Sequence, residues 1–98
     1  MVDNLERDLA RRVSQSWDAH RPYWQRVLNE CPIPALRVQK VAPDFIPVTA
    51  RVVWERDGLE LIETVATGWT SRLVLVELTD RRSRTRGVWL DPVDVRRR

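Results

Sequence analysis

Four prolines fall within the seventeen residues CPIPALRVQKVAPDFIP, at positions 32, 34, 43 and 47, and no regular helix can pass through them. Each proline lacks the N–H that an intrahelical bond needs, and each pushes the residue before it towards extended backbone. The stretch predicts an extended connection over 31–47 with room for one short strand at 36–41. It divides the chain in two, and the hydrophobic period differs on its two sides.

On the N-terminal side the period is that of a helix. Asp3 and Glu6 have the spacing of a capping box, in which two side chains satisfy free N–H groups of a first turn. Val2, Leu5, Leu9, Val13, Trp17, His20, Trp24 and Val27 then recur at spacings of three and four, which draws one apolar stripe. Pro22 interrupts it at a cost of about 3 kcal/mol inside a helix, though it is tolerated at the first position of a new one. The pattern predicts either a kink near 18–21 or two helices, 3–20 and 22–30.

Beyond residue 47 apolar and polar residues alternate, as in strands with one buried face. Residues 48–56 (VTARVVWER) lead into Asp57-Gly58, a favoured hairpin turn, and 59–67 (LELIETVAT) should pair back antiparallel. After the turn at 68–71, residues 72–79 (RLVLVELT) read as the central and most buried strand, with Val74 and Val76 inside. A polar loop at 80–86, a short strand at 87–90, a turn at 91–94 and a last strand at 95–97 complete the series.

With 98 residues, 43% hydrophobic and 32% charged, the chain supports one core and so one folding unit: a helical segment at 1–30, the Pro-rich linker at 31–47 and a barrel at 48–98. The fold class is expected to be α+β, mainly β, an N-terminal kinked helix followed by a five-stranded antiparallel barrel. There is no run of about 18 apolar residues and no signal-like N-terminus, and Cys31 is the only cysteine. The expectation is a cytoplasmic protein away from the membrane.

Short strands joined by a DG hairpin and closing with GVWLDPVDVRR resemble the SH3-like small barrel, and the run from Ala50 to Val76 is similar to a Tudor-type pattern; the resemblance covers 46–98. It implies a binding module, but the families' binding residues do not carry over. The first turn, ERDGLE, lacks the aromatics of peptide-binding SH3 domains, and DPVDV has no Tyr. A methyl-reading cage would have only Trp54, Trp69, Trp89 and Phe45 to draw on, and mid-strand Trp54 and Trp89 are expected in the core. Trp69 is expected to be partly exposed.

The catalytic inventory is thin. His20 is the sole histidine, Cys31 has no second histidine to activate it, and Glu60 and Glu63 fall on opposite faces of a strand. Asp91 and Asp94 sit where turns commonly place aspartate. Without a Gly-rich phosphate loop or metal-ligand spacing, the reading is a non-enzymatic module with no cofactor, no metal and no small-molecule substrate. Two partners are expected from the residues. Seven of the seventeen basic residues lie in 81–98, and Arg81, Arg82, Arg84, Arg86, Arg96 and Arg97 would contact nucleic-acid phosphates if loop and tail share one end of the barrel. Alternatively the stripe of Leu5, Leu9, Val13, Trp17 and Trp24, with Trp69, would bind a protein or a second copy.

Overall fold

The computed structural model describes residues 21–98. Five antiparallel strands form one sheet: β1 (Lys40–Trp54), β2 (Gly58–Trp69), β3 (Val74–Glu77), β4 (Gly87–Leu90) and β5 (Val95–Arg97), in the order β4-β3-β2-β1-β5. The first four strands follow one another as neighbours. The fifth, after a 3₁₀ turn at Pro92–Asp94, crosses to the far edge and pairs with Val48–Ala50 of β1. Asp91 caps that turn by accepting a hydrogen bond from the Val93 N–H at 3.0 Å.

The alternation read from the sequence sets the core. Val48, Ala50, Val52 and Trp54 of β1 point inward and meet Ala66, Val76, Leu78, Val88 and Leu90, with Val74 and Val95 packed partly against them. Strands from both ends of the sheet thus share one core, as a small barrel-like fold requires. Trp54 and Trp89 are buried, as expected. The strand at 72–79 is shorter and less central than expected: β2 occupies the middle, and burial falls on one face only, at Val76 of β3 and at Leu78 just after it.

The α+β class with an N-terminal kinked helix is corrected. No α-helix occurs among the described residues, which form strands and short 3₁₀ turns. The segment 3–20 lies outside the described residues, and where a helix at 22–30 was expected the chain makes one 3₁₀ turn, Arg21–Tyr23, then a single β-bridge at Val27 and a turn at 28–29. The reason is a set of tertiary bonds that local periodicity cannot register. Leu28 N–H donates to Val53 O at 2.7 Å, Glu55 N–H donates to Arg26 O at 2.9 Å, and Val27 bridges Trp54. Asn29 extends this pairing with its side chain, donating to Arg51 O at 2.8 Å and accepting from Val53 N–H at 3.0 Å. Backbone donors satisfied in this way have no need of a helical partner.

Two further details differ. The expected strand at 36–41 is a 3₁₀ turn, Leu36–Val38, after which β1 begins at Lys40. The hairpin loop has three residues, 55–57, and among the described residues only Gly58 has positive φ, at 77°. This is the arrangement in which one left-handed residue follows a three-residue loop. Gln25 holds its tip, its Oε1 accepting from the Arg56 and Asp57 N–H groups at 3.0 and 3.1 Å.

Candidate functional site

The 81–86 loop between β3 and β4 packs beside the hairpin tip and residues 21–25, and this sorts its arginines into two kinds. Arg82 is an internal fastener. Its guanidinium donates to both oxygens of Asp80 at 3.0 and 2.8 Å, to Glu60 at 2.7 Å and to Asp57 at 3.1 Å, and it lies 4.3 Å from the centre of the Trp54 ring. Trp54 in turn donates its indole N–H to Glu60 at 3.1 Å. The fork of a guanidinium suits this role, since it serves several carboxylates while stacking on an aromatic face.

The electrostatics follow. The Arg82 hydrogen bonds hold the Asp80 carboxyl below its ordinary range despite partial burial. The Gln25 side chain and then Arg82 do the same for the exposed Asp57. The three carboxylates in turn raise the Arg82 pKa, so its charge is permanent. Ser83 is buried beside it, its hydroxyl donating to Thr85 O at 2.5 Å, which fixes the bend of the loop.

Arg81, Arg84 and Arg86 are different: all three are exposed, and none forms an ion pair among the described residues. Arg81 stacks on Tyr23, with 4.4 Å from guanidinium to ring centre, and Arg84 lies 5.9 Å from the centre of Trp24. Tyr23 is half exposed and Trp24 half buried. Aromatic rings are thus interleaved with the loop arginines by the fold, although they lie some sixty residues away in the chain. The loop is anchored to this segment by Gln25 N–H donating to Arg82 O at 2.8 Å.

The tail does not join this surface. Arg96 and Arg97 lie on β5, at the edge of the sheet opposite β4, and Arg98 is tied down by Pro47 O, Val48 O and Thr64 O and by Glu63 at 3.5 Å. Loop and tail therefore do not form one patch. Of the residues expected to bind protein, Leu5, Leu9, Val13 and Trp17 lie outside the described residues. Trp69 ends β2, half-buried between Lys40 and Val74. The acidic pairs are engaged in structure: Glu60 on Arg82, Glu63 on Arg98, and Asp94 on Arg51 at 3.3 Å.

Two surface features escaped the sequence reading. An open groove of about 830 Å³ runs beside the loop, with Val27, Leu28 and Pro32 on its apolar wall and Glu30, Glu55 and Arg84 on its rim. The segment 33–45 exposes Ile33, Leu36, Val38, Val41 and Phe45. A run of prolines signals an extended path but does not say which side chains find cover. No helix among the described residues is long and apolar enough to cross a membrane. Comparison with protein-family models, with curated proteins and with solved structures finds no match.

Proposed function

We propose that this protein is a non-enzymatic interaction module that binds the backbone of single-stranded nucleic acid with the surface formed by the 81–86 loop and residues 21–26. The observation behind it is the pairing of Arg81 with the half-exposed Tyr23 ring beside two further arginines without ion-pair partners. Cations that reach phosphates next to an aromatic face that stacks a base are the chemical requirement for holding a flexible strand without reading its sequence. Arg81, Arg84 and Arg86 are the phosphate ligands in this reading. Arg82 is not, because four of its five donors are already spent on three carboxylates. Arg96 and Arg97 belong to a separate edge and add at most a second, distant contact.

The strand order, with a 3₁₀ turn before the last strand, supports an SH3-like class of small barrel, and a cytoplasmic location goes with this reading. The test is fluorescence anisotropy with a labelled single-stranded oligonucleotide over a range of salt. Log K should fall with log[salt] by about 0.7 per phosphate contact, and Arg81→Ala with Arg84→Ala should flatten the slope by about 1.4. Tyr23→Ala should weaken binding with little change in slope. Binding that ignores salt and these substitutions, or no binding at low salt, rejects the reading.

A further inference from the structure

We infer that the turn at 33–38 is a self-association knob that seats in the groove of a second copy, reciprocally about a two-fold axis. The knob is built in advance. Pro32 and Pro34 stiffen its entry, Val38 N–H donates to Ala35 O at 3.1 Å, Gln39 N–H to Leu36 O at 3.1 Å, and the Gln39 side chain to Pro34 O at 2.8 Å. A turn held by its own bonds loses little freedom on docking. Yet Ile33 and Leu36 are 76% and 85% exposed at its tip, an unusual use of ordered apolar residues.

Area and the adjacency of knob and groove both indicate a second copy. With Val38, Val41 and Phe45, the segment exposes on the order of 600–700 Å² of largely apolar residue surface, at or above the largest patch of an ordinary monomer and close to the roughly 800 Å² per partner of a standard interface. The knob is flanked by exposed Arg37 and Lys40; of the exposed charges lining the groove, Glu30 and Glu55 are opposite in sign to them and Arg26 and Arg84 alike, and none of Arg37, Lys40, Glu30 and Glu55 forms an ion pair among the described residues. The groove wall ends at Pro32 and the knob begins at Ile33. One axis passing near this junction therefore lets each copy's knob enter the other's groove, the self-complementary arrangement that closed dimers need.

Sedimentation of the full chain, nuclease-treated and followed over a hundredfold range of concentration, should show a monomer–dimer equilibrium. Leu36→Asp, at an exposed knob position, and Leu28→Asp, at an exposed groove position, should each move the chain to monomer with unchanged amide shifts for β1 to β4. Mixed together, these two variants retain one intact knob–groove contact and should associate where neither does alone. Glu55→Arg should weaken the dimer, and adding Arg37→Glu should restore it. A wild-type chain that stays monomeric overturns the inference and leaves the knob to a different protein or to the chain's own remainder. A dimer indifferent to Leu36→Asp overturns it as well, and so does a mixture of the two variants that fails to associate.

Discussion

Arg82 shows how one residue turns an apparent ligand-binding charge into internal structure. It satisfies Asp57, Glu60 and Asp80 while covering the face of Trp54, so its removal leaves an acidic cluster without its cation and a core tryptophan open to water. Arg82→Ala should destabilise the fold by about 2 kcal/mol, the scale of lost charge-assisted hydrogen bonds plus a cation–π contact, as read by urea denaturation. Arg82→Lys should recover only part of this, because an ammonium cannot fork between carboxylates and stack on an indole at once. The same network sets a response to acid. Asp80 and the exposed Asp57 both titrate lower in the folded chain than in the unfolded one. Their contribution is complete above the unfolded pKa near 3.8 and disappears as pH falls through the lower folded values. Stability measured from pH 6 down to 2.5 should therefore decline below about pH 4, with a shallower decline in Arg82→Ala. An unchanged decline would remove Arg82 from this role.

At the scale of elements, two glycines make opposite demands. Gly68 lies where β1 passes so close to β2 that a Cβ would sit 2.9 Å from the Lys40 carbonyl oxygen, a backbone atom that cannot turn aside. Gly58 has open space around it, and its requirement is the positive φ alone. Gly68→Ala should accordingly cost about 2–3 kcal/mol by forcing the strands apart, and Gly58→Ala about 1 kcal/mol, with Gly58→Asn milder still, all by thermal or urea unfolding. Within β3, Val76→Ala should cost about 2 kcal/mol, since Val76 has no exposed surface, and Val74→Ala less. These elements also mark what the sequence could disclose. The alternation from Val48 to Trp54 and the DG pair make the β1–β2 part of the sheet readable, because a strand with one buried face writes its period into the chain. The segment 22–30 departs from its helical period because Gln25 and Asn29 use side chains as substitutes for backbone, which carries no periodic signature. The candidate surface was half readable for a related reason. An arginine run is visible in sequence, but its division into Arg82 inside and Arg81 and Arg84 outside depends on Asp57 and Glu60, more than twenty residues away, as well as on nearby Asp80, and Tyr23 reaches the loop only through the fold.

Across the whole molecule, β1 is the organising strand: β2 covers one edge along most of its length, while residues 26–28 and β5 share the other, the former at its C-terminal end and the latter at its middle. Contacts at the far edge join residues widely separated in sequence, such as Arg98 to Pro47, and such closures are slow relative to a local hairpin. Folding should begin at the β1–β2 hairpin and end with β5, so Val95→Ala should mainly speed unfolding in stopped-flow experiments while leaving the folding rate nearly unchanged. The position of β5 also matters at the ribosome. Residues 48–50 have all their side chains and their β2 partner as soon as the hairpin has emerged, yet their other edge stays uncovered for as long as residues 95–98 are still inside the exit tunnel. During that interval a nascent chain presents an unpaired strand edge beside Val48, the kind of edge onto which neighbouring chains add.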